Sequence, residues 1–320
     1  MVPNQTTEST HLEEVSKKLV EKFDELFGMH PGYRPVHAKG IMFRGTFKPS
    51  AESKTLTRAP HVQAASTEVL VRFSESTGIP AIADTDPNAS PHGIAVRFYM
   101  GSHVHTDIIG HTHNGFPTRT GEEFLELLRG ILLSKTETDK PNTLERFLDS
   151  HPKAKEFVST PNPLPKSFTT ESYFAVTAFR FTNNDGKSCY GRFQILPEDK
   201  NEFLPESEIA GKGDNFLLEE LKERVASGGA KMRIVVEIAE DGDDVNDATT
   251  AWPANRKHID FGTVILTTFV PNDDPEAQKI IFDPIPRVDG IDPSDDPLIE
   301  LRSALYLMTG RRRRAGLKKD

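Results

Sequence analysis

Residues Tyr173–Glu198 read YFAVTAFRFTNNDGKSCYGRFQILPE. Two runs of aromatic and β-branched residues flank Asn183-Asn184-Asp185-Gly186, a cluster whose residues favour tight turns. The pattern predicts a β-hairpin, so the chain builds antiparallel sheet. On the C-terminal side, FLLEELKERVASGG (216–229) has a helical period and glycines at its end, and AKMRIVVEIAED (230–241) and DFGTVILTTFVP (260–271) read as two further strands. On the N-terminal side, GIMFRGTFKPS (40–50), TEVLVRFSES (67–76) and HGIAVRFYMG (92–101) cluster the same residue types between turn signals. At least seven strands with hairpin connections, interleaved with helices, predict an α+β chain whose antiparallel sheet curls into a barrel.

The helices follow from period and caps. Leu12, Val15, Leu19, Phe23 and Leu26/Phe27 recur at helical spacing, Thr10 and Glu13 fit a capping box, and Gly28 offers a stop. GEEFLELLRGILL (121–133) follows Thr120 as N-cap, and residues 143–160 give one or two short helices. The stretch 283–297, DPIPRVDGIDPSDDP, reads as a connector, and the segment from Asp296 to Arg314 as a helix.

The 320 residues carry 39 basic and 48 acidic side chains, a net charge of −9. That balance argues against nucleic-acid binding despite Arg311–Arg314. The lone Cys189 excludes an internal disulfide framework and reads as a half-buried structural residue. No apolar run reaches the roughly 18 residues needed to cross a bilayer. The polar, acidic start lacks the basic and apolar regions of a secretory signal, and the final KKD matches no address signal, so the cytoplasm is expected.

Three groups could carry chemistry. His37 stands between Arg34 and Lys39 in YRPVHAKG; a lone loop histidine is more often structural. His103, His105, His111 and His113 form two His-x-His pairs in HVHTDIIGHTH, conceivable as metal ligands on a strand but more simply solvated loop residues. Arg302 and Tyr306 share a helix face at i, i+4.

Taken in order, these groups resemble the haem catalases. Arg34–Gly40, RPVHAKG, matches the family's distal motif R-V-V-H-A-K-G in six of seven positions. VRFS (71–74), IAVRFYMGSHVHTDIIG (94–110) and the run from Phe282 to Tyr306, with its final Arg-x-x-x-Tyr, match further family segments in the same order. The resemblance covers roughly residues 30–315 and looks closest to the small catalase-related peroxidases. It implies a catalase-type eight-stranded antiparallel β-barrel with surrounding helices and haem b at the barrel edge. It also implies a division into an N-terminal helix (1–29) and a minimal haem-binding barrel domain (30–320) within one domain overall.

By the same resemblance, Tyr306 would be the iron ligand, helped to ionise by the iron and by Arg302 one turn earlier. His37 would be the distal acid–base, with Ser74 fixing its ring. Arg34, Arg72 and Arg313 would hold the haem propionates, Val36 would precede the distal histidine, and Phe124 would lie near the haem face. One position departs: the family's distal Asn falls on His111, and Asn114 comes three residues later. Spacing favours His111 and chemistry favours Asn114. Arg311, Arg312 and Arg314 are expected to meet solvent or the acidic body of the protein.

The resemblance further implies reduction of hydrogen peroxide or organic hydroperoxides with small organic donors, and weak catalase turnover at most. Isomerisation of lipid hydroperoxides to allene oxides is an alternative on the same fold; a non-enzymatic binding protein with a basic tail is a third reading. No nucleic acid, membrane or NADPH partner is expected, and a monomer or homodimer is.

Overall fold

The computed structural model describes residues 5–317; the Met1–Asn4 start and the Lys318–Asp320 end lie outside the described residues. In chain order the elements are α1 (Gln5–Phe27), β1 (Gly40–Pro49), α2 (Ser53–Leu56), α3 (Pro60–Gln63), β2 (Thr67–Ser74), β3 (Gly93–Gly101), β4 (Val104–His111), α4 (Gly121–Ser134), α5 (Thr143–Ser150) and α6 (Pro152–Ser159). They continue with β5 (Tyr173–Phe174), β6 (Phe179–Thr182), β7 (Ser188–Pro197), α7 (Glu206–Ile209), α8 (Phe216–Ala226), β8 (Lys231–Ile238), β9 (His258–Val270), α9 (Pro275–Lys279), β10 (Ile291–Pro293) and α10 (Pro297–Gly316).

Strands β1-β2-β3-β4-β5-β7-β8-β9 form a closed ring, because β9 pairs with both β8 and β1; β6 and β10 extend the sheet from β7. Every named pairing is antiparallel. The eight-stranded antiparallel barrel implied by the family resemblance is therefore present. Alternate residues of each strand fill it: Ile41, Phe43 and Phe47 from β1, Val69, Val71 and Phe73 from β2, and Ile94, Val96 and Phe98 from β3 share one core. The intervening residues face outward, and α1, α4 and α10, which pack on one another, stand opposite β2–β4 across a cavity.

The predicted hairpin forms, with Gly186 at φ +76° in its turn, but its first run is broken. Residues Tyr173–Phe174 and Phe179–Thr182 both pair with β7, and Ala175–Ala178 between them leave the ladder. Three other expectations are corrected. The first helix starts at Gln5, ahead of the Thr10 cap, since a capping box favours a start without preventing polar residues before it from being helical. The connector 283–297 contains β10, a short strand whose Ile291 is buried against β6. The His-x-His stretch is largely strand β4, and His113 is buried rather than solvated. Among the described residues no group of three or more His, Cys, Asp or Glu is arranged to hold a metal ion, and no helix is long and apolar enough to cross a membrane.

Candidate active site

Helix α10 begins at Asp296, whose side chain accepts from the Leu298 N–H at 2.9 Å, with Pro297 in the first turn. Its 3.6-residue repeat places Leu298, Arg302, Leu305, Tyr306, Thr309 and Arg313 along one side of a cavity. The opposite side is the outer barrel wall: Arg72 and Ser74 from β2, Gly93 and Ala95 from β3, Ile109–His111 from β4. Leu19, Phe23 and Phe27 of α1 and Phe124 of α4 close it with apolar surface, and the loop Arg34–His37 crosses one end. The space measures about 390 Å³.

His37 is held in the left-handed region at φ +55°, where few side chains other than glycine rest without strain. Its N–H donates to the Ser76 carbonyl at 3.0 Å, and the Ser74 Oγ lies 3.2 Å from its Nδ1. Gly93 makes room for the ring: a Cβ there would lie 2.9 Å from the His37 ring and from the Ser74 Oγ. Burial, and then the Arg72 charge, push His37 down to about 4, while the Glu75 carbonyl pulls the other way. The ring is thus a neutral base over the ordinary pH range.

Arg34, Arg72 and Arg313 line the same cavity. Arg72 donates to the His37 carbonyl at 2.8 Å; Arg34 and Arg313 both donate to the Ile280 carbonyl, at 3.4 and 2.6 Å. Burial and repulsion from Arg313 lower Arg72 to about 9; burial and repulsion from Arg72 and Arg313 lower Arg34 well below its usual value. Burial, with Arg314 nearby, lowers Arg313 to about 10, and its Nε has no partner among the described residues. Three mutually repelling guanidiniums around one cavity end, Arg72 and Arg313 buried and Arg34 half-buried, make that end attractive to anions.

Tyr306 and Arg302 face the cavity together, the guanidinium 5.9 Å from the phenol ring centre. Phe124 packs against Phe23 and Phe116 at 6.2 and 5.0 Å. Val36 lines the cavity beside His37.

At the distal position the two candidates separate. His111 lines the cavity; Asn114 is exposed and does not. His111 ends β4 and pairs with Phe174 across the seam that closes the barrel. Burial, then His113, Arg302 and His37, push its imidazole down to about 3, and its Nε2 has no partner among the described residues. Its Nδ1 accepts from the His113 N–H at 3.3 Å.

The structure thus brings His37, Ser74, His111, Arg34, Arg72, Arg313, Val36, Phe124, Arg302 and Tyr306 together. Sequence reading passed over Gly93 and the Ile280 carbonyl: a glycine's use depends on what approaches it in space, and a backbone carbonyl has no sequence signal. Arg312 and Arg314 also have partners beyond solvent: Arg312 bridges Asp24 of α1 at 2.5 and 2.9 Å, and Arg314 donates to the Lys279 carbonyl.

This fold and this cavity define a class of molecule: an antiparallel barrel with a cleft on its outer wall, lined by arginines at one end and by apolar side chains elsewhere. A family model described as Catalase matches residues 12–319. A catalase-related peroxidase of Mycolicibacterium paratuberculosis is 32% identical over 87% of this chain and 88% of its own length. Another, of Synechococcus elongatus, is 30% identical over 94% of this chain and 89% of its own. A crystal structure of a fungal catalase superposes with a TM-score of 0.75 at 20% identity, over 88% of this chain and 59% of that one. The chain belongs to the catalase family. Family membership implies haem, and the cavity fits it: among the described residues the arginines have no carboxylate partner, and a tyrosine shares the cavity with them between apolar walls.

Proposed function

We propose that the cavity binds haem b and that the protein reduces hydrogen peroxide or organic hydroperoxides with electrons from a small organic donor, with weak catalase turnover. The observation that carries this is the gathering around one cavity of Tyr306, His37 and three arginines that have no carboxylate partner among the described residues. In this reading the Tyr306 oxygen would hold the iron, with Arg302 favouring the phenolate, and Arg34, Arg72 and Arg313 would neutralise the two propionates. Phe124 and Val36 shape the apolar faces. The bound haem supplies the redox chemistry that accepts an oxygen atom's oxidising equivalents from peroxide.

The protein's own task is moving a proton. The Ser74 Oγ and the Glu75 carbonyl both engage the His37 ring, leaving Nε2 to act as base. It takes a proton from one peroxide oxygen and returns it to the other, which leaves as water or alcohol. Two electrons and two protons from the donor complete the reduction. His111, with its free Nε2 in the distal wall, orients the peroxide in place of an asparagine. A neutral imidazole offers one hydrogen bond from Nε2, as donor or acceptor but not both, which leaves a second peroxide poorly oriented for dismutation.

The test is the visible spectrum of the purified, haem-loaded protein with oxygen evolution and donor oxidation measured side by side. A Soret band, lost or strongly shifted in Tyr306→Phe, and donor oxidation exceeding oxygen release are expected. Rapid dismutation with no donor oxidation would overturn the peroxidase assignment. Allene oxide formation from a fatty-acid hydroperoxide would replace it with isomerase activity.

A further inference from the structure

Directly behind the distal wall lies a cluster of buried charges that the proposed reaction leaves idle. The His92 Nδ1 lies 2.6 Å from a Glu171 carboxylate oxygen and its Nε2 3.2 Å from a Glu75 carboxylate oxygen, the latter close but not aligned as a hydrogen bond. All three residues are buried, His92 and Glu75 completely, and the Phe168 ring meets the imidazole edge-on at 5.2 Å. Charge is costly to bury even when it is paired, so a buried histidine set between two carboxylates needs a reason.

Its place in the chain suggests one. Glu75 follows Ser74, which touches the His37 ring. His92 precedes Gly93, against which that ring rests. The His92 carbonyl accepts from the N–H of Thr112, the residue after His111, at 3.0 Å. Glu171 lies three residues before Phe174, the partner of His111. Every backbone that shapes the distal pocket therefore has a neighbour in the triad.

The groups facing these side chains fix its charge. Behind Glu75 is the buried Lys39–Asp84 ion pair at 2.5 Å; Tyr173 and His113 feel Glu171; His37 itself faces His92. Burial alone would push His92 down, but the Glu171 charge and the contacts with Glu171 and Glu75 carry it up to about 10. His92 is an imidazolium throughout the ordinary pH range, one wall away from a histidine that must stay neutral.

We propose that the Glu75–His92–Glu171 triad is a positioning device for His37: it clasps the ends of β2 and β3 and the segment before β5 so that Ser74, Gly93 and His111 hold the ring, and the imidazolium of His92, the member that the ring faces, discourages a second proton there. This rests on the reading of His37 as the distal base. The test uses the haem-loaded full chain. His92→Gln removes the charge and keeps a hydrogen-bonding side chain; His92→Lys keeps the charge. Two profiles are read: the acid limb of the rate of reaction with hydrogen peroxide, and the pH dependence of cyanide binding followed by the Soret shift, which needs no turnover.

His92→Gln is expected to keep its Soret band while both acid limbs move to higher pH, with a several-fold slower peroxide reaction in mildly acidic solution. His92→Lys is expected to bring the limbs back towards the original. Unmoved limbs in His92→Gln, or limbs displaced as far in His92→Lys, would overturn the proposal and leave the triad structural. If His92→Gln does not fold, His92→Asn carries the same test, with a displacement in the same direction, since it too replaces the imidazolium with a neutral amide. His37→Gln serves as control: if it retains the acid limb, the reading of His37 has failed rather than the role of the triad.

Discussion

The His37 ring occupies a slot defined by a strained backbone on one side and a missing side chain on the other. The φ of +55° aims the imidazole at the barrel wall, and Gly93 lets it in. Gly93→Ala would place a Cβ 2.9 Å from ring atoms, on a strand flanked by two others that cannot retreat. The variant is expected to bind haem with an unchanged Soret band yet react with hydrogen peroxide more slowly, by about 10- to 100-fold, since displacements near 1 Å cost that much; stopped-flow mixing reads it. The pH profile follows from the same ring. If His37 is the base of the proposed reaction, peroxide reactivity should fall on the acid side near its value of about 4, with unchanged cyanide affinity across that range as the contrary result. Of this site, the distal motif and the Arg-x-x-x-Tyr pair were readable in the sequence because each is compact. Gly93, His92 and Glu171 were not, because their roles arise from chain segments that meet only when the barrel closes.

Helix α10 illustrates how an element can be legible in outline and misread in detail. Its pattern predicts the helix and the shared face of Arg302 and Tyr306, and the structure adds Pro297 at its start. Arg311, Arg312 and Arg314 are expected to meet solvent or the acidic body of the protein; Arg312 does meet Asp24 of α1, while Arg314 donates to the Lys279 carbonyl and Arg313 to the Ile280 carbonyl. These bonds anchor the helix that carries the tyrosine. Asp24→Asn should therefore lower stability only modestly, about 0.5–1 kcal/mol for a partly exposed pair, while speeding haem loss measured by transfer to an apoglobin acceptor. Equal rates of haem loss would show that the α1–α10 bridge does not govern retention. The strands divide similarly. Those with clean alternation, β1, β2, β3, β8 and β9, were legible, as was the hairpin turn. Strand β4 carried four histidines in its neighbourhood and read as a polar loop, although its His111 closes the barrel; residue type signalled solvent where pairing decided otherwise. The break at Ala175–Ala178 and the three-residue β10 are set by tertiary pairing and have no local pattern.

For the molecule as a whole, the number of histidines buried without charge sets an acid limit on the fold. His37 and His61 are pushed down to about 4 and His111 to about 3, in each case chiefly by burial. An unfolded histidine binds its proton near pH 6.5. Between that value and the folded value the unfolded chain binds more protons, so stability declines as pH falls through this range, by up to about 1.4 kcal/mol per pH unit for each such group. His92 acts in the opposite sense: its stabilisation is complete below the ordinary histidine range and is lost as pH rises through about 10. His61 isolates the acid effect, because it sits at α3 against Phe47, Phe98 and Phe261 of the barrel core, outside the candidate site, and its Nδ1 has no partner among the described residues. His61→Phe removes a titrating group from an aromatic cluster and leaves the cavity untouched. Its Soret band and peroxide rate should match the original, while its thermal midpoint exceeds the original by a margin that widens as the solution is acidified from neutral towards pH about 4. A margin independent of pH would mean that His61 is protonated in the folded barrel, and that the acid limit of this fold lies with other groups.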